Sequence, residues 1–175
     1  MLLGLFATQH HPFCLMSQQT PLSPPTPASS ESETLQWSDA FLLGFTPMDE
    51  IHHEFVELVS QLQTAPEAEL PALLEAFILH AQKHFDEEKA WMVETDFPAR
   101  ECHIDEHAAV MNSVLEVRGL LAEGNTTLCR ELADELARWF PGHADYLDSA
   151  LSHWMCQKRL GGKPVVLRRN VASAG

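Results

Sequence analysis

The sequence predicts an all-α fold, an up-down-up-down antiparallel four-helix bundle, and three observations lead there. Four stretches carry apolar residues at i, i+3 and i+4, the period of a helix with one buried face. β-branched residues are scattered and no segment alternates with period two, so strand signals are absent. The breaks between the four stretches are short, which makes successive helices run antiparallel. At 175 residues the chain is long enough to bury one core and short for two domains.

The elements follow in order. Residues 1–34 end in "MSQQTPLSPPTPASSESET", where Pro, Ser, Thr and Gln leave almost nothing to bury, and are read as a disordered leader. The bundle is expected over residues 35–157. It opens on the aromatic-rich approach "LQWSDAFLLGF", and Pro47 then suits the first turn of a helix of about 47–63. "TAPEAELP" breaks it before a second helix of about 70–95. "DFP" separates that from a third of about 99–122, and "EGNTT" is the last turn before a fourth of about 126–157. Residues 158–175 are read as a flexible basic tail.

Charge narrows the function classes. The formal net charge is −14, which argues against nucleic acid and against an anionic lipid surface as partners. It is unevenly placed: residues 158–175 hold five basic residues and no acid, so residues 1–157, with six basic against 25 acidic residues, carry −19. Cys14, Cys102, Cys129 and Cys156 lie at wide spacings with no C-x-x-C pair. They are read as reduced thiols of a cytoplasmic protein. The apolar start "MLLGLF" has no basic residue before it and no small-residue cleavage site after it, so a secretory signal is not expected. No apolar run approaches the roughly 20 residues of a membrane span.

The buried stripes then raise a problem of charge. On the first helix Met48, Ile51, Phe55, Val59 and Leu62 share one face with His52, whereas His53 groups with Glu50, Glu54 and Glu57. On the second, Phe77, His80, His84, Glu88, Trp91 and Met92 form one stripe. The third places His103 and His107 ahead of Val110, Met111, Val114 and Leu121, and the fourth places His143 and Asp148 among Trp139, Leu147 and Leu151. A lone inward histidine is commonly a hydrogen-bonded core residue, and a buried carboxylate without a partner costs several kcal/mol. Even with His80 set aside, five inward imidazoles and two inward carboxylates over four helices are intolerable unless a cation joins them. Imidazoles and carboxylates suit iron, and seven such groups are enough for two metals.

"MDEIHHEF", "HFDEEKAWM", "HIDEH" and "HADYLD" occur in the order of an H…H-x-x-x-E…H-x-x-x-H…H-x-x-x-x-D signature, and in this the chain resembles the hemerythrins, closest to the bacterial single-domain members. The likeness covers about residues 35–157. It implies a non-haem di-iron centre with an oxo or hydroxo bridge. His52 and His84 would hold one iron, His103, His107 and His143 the other, and Glu88 and Asp148 would bridge them. It also implies that dioxygen binds reversibly at the iron with only two histidines, for storage, delivery or sensing.

The chemistry of the residues favours a carrier over an enzyme. Ferritin-like oxidases use carboxylate-rich sites built on Glu-x-x-His from two helices. This chain has one such motif, Glu50 to His53, and it faces outward. A pocket lined by Phe55, Phe85, Trp139 and Phe140 offers few proton donors. A di-iron peroxidase, oxidase or nitric oxide reductase, and an iron-responsive interaction module using the leader and tail, are the rival readings. A protein partner is not specified by the sequence. Three features stand apart. Pro141 and Gly142 precede His143, where proline should kink the helix. The five-residue spacing from His143 to Asp148 spans about 140° of an ideal helix, so local widening is expected. His80, one turn before His84, is read as a supporting residue.

Overall fold

A computed structural model describes residues 33–162. All but residues 33–34 of the expected leader, and most of the expected tail, therefore lie outside the described residues. Among the described residues there are five α-helices: α1 (Thr46–Thr64), α2 (Leu70–Glu94), α3 (Arg100–Ala122), α4 (Thr126–His143) and α5 (Ser149–Leu160). A single π-helical segment, Ala144–Asp148, joins α4 to α5, so the two form one rod. Among the described residues there is no strand. Four rods result: α1 packs on α2 and on α4, and α3 likewise on α2 and α4. No helix among the described residues is long and apolar enough to cross a membrane.

Local chemistry sets the boundaries. Pro47 stands in the first turn of α1, where its missing N–H breaks no intrahelical bond. The Asp49 carboxylate accepts from the backbone N–H groups of Leu43 (2.7 Å) and Gly44 (3.1 Å), tying the approach segment to the helix it precedes. That segment lies down on the bundle: Trp37 meets the His53 ring at 4.9 Å and Phe41 meets Phe140 at 5.2 Å. Asn125 caps α4 by accepting from the Leu128 N–H at 3.1 Å. At the end of α1 the Arg130 guanidinium donates to the carbonyls of Leu62 and Ala65, two groups that the helix terminus leaves without a helical donor. Gly161 closes α5 in the left-handed region, φ 66°, which a residue without Cβ adopts at least cost.

The core is split in two. The larger cluster holds Phe55, Val59, Leu74, Phe77, Val114, Leu132 and Phe140, among others. The smaller holds Phe45, Met48, Trp91, Met92, Leu151 and Met155. On three rods an inward carboxylate or imidazole falls between these clusters: His52 between Met48 and Phe55, Glu88 between Phe85 and Trp91, and Asp148 between Phe140 and Leu151. A polar layer thus crosses the bundle with hydrocarbon on both sides.

Cys129 and Cys156 are free and buried, in line with the reading of reduced thiols. Cys102 is disulfide-bonded, which corrects that reading. Cysteines far apart in sequence announce no pairing.

Candidate metal centre

Each of the seven residues singled out by pattern is buried, and the fold brings all of them together. His52, Glu88, His103 and Asp148 are fully buried, and His84, His107 and His143 nearly so. They fall into two groups whose donor atoms lie within 4.8 Å of one another: Glu88, His103, His107, His143 and Asp148, and His52, His84 and Glu88. Glu88 belongs to both. Its Oε1 lies 3.0 Å from His84 Nε2 and 3.8 Å from His52 Nε2. Its Oε2 faces the other way, 3.2 Å from His103 Nε2 and 3.5 Å from His107 Nε2. Asp148 divides similarly, with Oδ2 at 3.2 Å from His52 Nε2 and Oδ1 at 3.0 Å from His103 Nε2 and 3.2 Å from His143 Nε2.

Helix geometry explains the convergence. His84 and Glu88, like His103 and His107, are four residues apart and so rise on one face of α2 and of α3. His143 and Asp148 are five apart, and the segment between them is π-helical. An i→i+5 turn holds one residue more than an α turn, so it carries Asp148 round to the face of His143. The widening expected from the spacing is found. α4 continues through Pro141 to His143, and the π-helical segment begins three residues after the proline.

The donor set fits metal ions. Asp148 Oδ1 and Oδ2 and Glu88 Oε2 are buried without a hydrogen-bond donor, an arrangement that costs several kcal/mol unless positive charge meets it. The His103 and His143 Nε2 atoms are 3.2 Å apart, and those of His107 and His143 are 2.9 Å apart. Two nitrogen donors each ~2.1 Å from one cation and at right angles to each other sit roughly 3.0 Å apart. Nitrogens and carboxylate oxygens of this kind are the ligands of borderline transition metals.

The electrostatics describe what protons do at the same place. Burial pushes the carboxyls of Glu88 and Asp148 up, but the surrounding imidazoles prevail and hold both well below the usual carboxylate range. Burial pushes His52 and His103 down, but Asp148 and Glu88 outweigh it and raise each to about 9. His143 is also raised, burial being overcome by Asp148 and Glu106. His107, where burial dominates, is held well below the ordinary value of 6.5. Two buried anions are thus balanced by protons on imidazoles, and a cation at the centre would compete for the same places.

The surroundings are aromatic. The Phe85 ring stacks on His107 at 3.8 Å, Phe140 stands edge-on to His52 at 5.2 Å and stacks on Phe55 at 4.8 Å, and Trp139 covers His143 at 4.2 Å. Glu50, His53 and Glu54 are exposed, so the Glu-x-x-His motif does face outward. His80 sits between: its Nδ1 is 3.3 Å from Glu54 Oε2 and its ring 5.7 Å from that of His84. Burial pushes it down to about 4.

One residue at the site escapes sequence reading. The Glu106 Oε1 accepts from His143 Nδ1 at 3.0 Å and from Trp139 Nε1 at 2.8 Å. It lies inside "HIDEH" but off the inward stripe. The available signal is a carboxylate three residues after His103 and one before His107, at the edge of the buried face of α3.

The sequence model of a family described as the Hemerythrin HHE cation binding domain matches residues 43–152. Over 124 residues the chain is 40% identical to a protein of Ralstonia nicotianae (strain ATCC BAA-1114 / GMI1000) named bacteriohemerythrin, a likeness that spans 71% of this chain and 90% of the relative. A second bacteriohemerythrin, from Stenotrophomonas maltophilia (strain R551-3), is 24% identical over 140 residues, 73% of this chain and 91% of its own length. No solved structure matches the chain.

Proposed function

The chain belongs to the hemerythrin family, whose domain is described as cation-binding, and from that premise we propose that it is a non-haem di-iron protein that binds dioxygen reversibly, for storage, delivery or sensing. The observation that carries this reading is the division of Glu88: one oxygen turns to two histidines, the other to a group with three. In this reading His52 and His84 hold one iron, His103, His107 and His143 hold the other, and Glu88 and Asp148 serve both. When bound, such a pair of irons supplies the two electrons that dioxygen needs for reversible uptake. The half with fewer histidines would have fewer protein ligands for its iron, which would suit binding of a small molecule there.

The chain's own residues explain why uptake would be reversible. Phe55, Phe140 and the half-buried Trp139 pack around the histidines and exclude water from the pocket. A dry aromatic wall supplies no proton and stabilises no leaving anion, so further reduction is disfavoured. His80, held at about 4 chiefly by burial, is neutral near pH 7 and is not an acid there. The donor set is rich in neutral imidazole, which sets it apart from carboxylate-rich oxidase sites.

The test is anaerobic reduction of the iron-loaded protein followed by air, watched by absorbance, with metal analysis on the same sample. A carrier takes up one dioxygen per two irons, gains a visible band, and loses it when oxygen is removed. Steady consumption of reductant and oxygen over many cycles would count for an enzyme instead. One zinc and no iron in protein from iron-replete cells would sink the di-iron reading.

A further inference from the structure

We propose that Glu106 is a positioning residue that makes the two halves of the metal centre unequal, by fixing the His143 ring and strengthening it as a donor to the three-histidine half. This rests on the two-metal reading above. The geometry is specific to one imidazole. Among the candidate ligands, the Nδ1 atoms of His52, His84, His103 and His107 have no hydrogen-bond partner. His143 Nδ1 alone of the five meets a carboxylate oxygen, at 3.0 Å.

The consequence follows from tautomer chemistry. A carboxylate can only accept, so Nδ1 of His143 carries the hydrogen and Nε2 presents its lone pair. That Nε2 is the atom that lies 2.9 Å from His107 Nε2 and 3.2 Å from Asp148 Oδ1, facing the centre. An anionic acceptor on the far nitrogen polarises the ring and raises its basicity toward a metal, and removal of such a partner typically costs 10–100-fold in metal affinity. Glu106 does this at low cost to itself. Its side chain is 42% exposed, so the charge keeps much of its hydration while one oxygen reaches the buried ring. The same oxygen accepts from the Trp139 indole at 2.8 Å, and Trp139 lies over His143 with 33° between the rings. Glu106 therefore locks a ligand and the ring that covers it. The two-histidine half has no counterpart among the described residues.

Iron-loaded full-length protein is equilibrated against a graded iron chelator under anaerobic conditions, and bound iron is counted, for the wild type, Glu106→Ala, Glu106→Gln and Trp139→Phe. Two irons are expected in the wild type. In Glu106→Ala one iron should leave at 10–100-fold lower free chelator while the other is held as before. Glu106→Gln keeps an acceptor without the charge, should fall between the two, and carries the test if the alanine variant fails to fold. Trp139→Phe keeps an aromatic ring but loses the indole N–H to Glu106 and some ring area, and should weaken the same iron by less than Glu106→Ala does. A wild type with a single iron would overturn the two-metal reading and this proposal with it. Two irons in the wild type with unchanged retention in both Glu106 variants would overturn the role of Glu106 alone. Equal weakening of both irons, or the same loss in Trp139→Phe, would overturn it as well.

Discussion

Neighbouring histidines on one helix separate the functional from the bland reading. His52 is fully buried against Asp148, whereas His53 is exposed and its ring lies 4.9 Å from Trp37. One position along the helix, about 100° of rotation, decides between the two. Glu88→Ala and His107→Ala should therefore lower bound iron from two toward one or none. Each should cost roughly 3–5 kcal/mol of stability, the scale of breaking a buried ionic group. His53→Ala should leave iron content unchanged and stability within about 0.5 kcal/mol. Metal analysis and denaturant titration of the three variants check this, and iron loss in His53→Ala as large as in His107→Ala would contradict the assignment. Phe140 belongs at the same scale, since its ring touches those of His52 and Phe55. Phe140→Leu opens the pocket with a smaller cavity than alanine would leave. It should speed decay of the oxygenated protein to the oxidised form with both irons retained; slower decay, or loss of iron, would remove Phe140 from the water-excluding role.

At the level of elements, the chain wrote most of its fold in the open. Apolar periodicity places the first three helices within a residue or so of where they are found, and the fourth from Thr126 to three residues short of Leu160, because each rod buries one continuous stripe and is bounded by strong turn residues. The π-helical segment at Ala144–Asp148 was legible only as a misfit, five residues where four are regular. Glu106 was not legible, because a half-exposed carboxylate carries no periodicity of its own and its role appears only when α3 and α4 meet. Two glycines test what the helices need. Gly119 in α3 and Gly142 in α4 both have open space where a Cβ would stand. Gly119→Ala should raise stability by about 0.5–1 kcal/mol, the cost of glycine within a helix. Gly142→Ala should do the same without loss of iron if the π turn is held by the His143 and Asp148 contacts. Destabilisation of Gly142→Ala, measured by denaturant titration, would show instead that the turn depends on glycine's freedom.

For the whole molecule the polar layer is the proposed metal centre and the weak plane of the core. Two apolar clusters are joined across a sheet of charge that no hydrocarbon replaces, so the bundle depends on what neutralises Glu88 and Asp148. Metal does so in the loaded protein, and protons on His52 and His103 do so in the stripped one. The sign of the pH dependence follows. Both histidines are raised to about 9 in the folded, metal-free chain, against 6.5 in an unfolded one. Between those values the folded state binds more protons than the unfolded state, so stripped protein loses stability as pH rises. The contribution is complete below about pH 6.5 and gone above about 9. In the proposed loaded protein these imidazoles would be neutral ligands, and metal binding would improve over the same range as protons cease to compete. The gap in melting temperature between loaded and stripped protein should therefore widen from pH 6.5 to pH 9. Thermal melts of both forms at those two values decide it. A gap that narrows would mean that protons do not stand in for the metal, and that the buried carboxylates of the stripped chain are stabilised by some other rearrangement of the four helices.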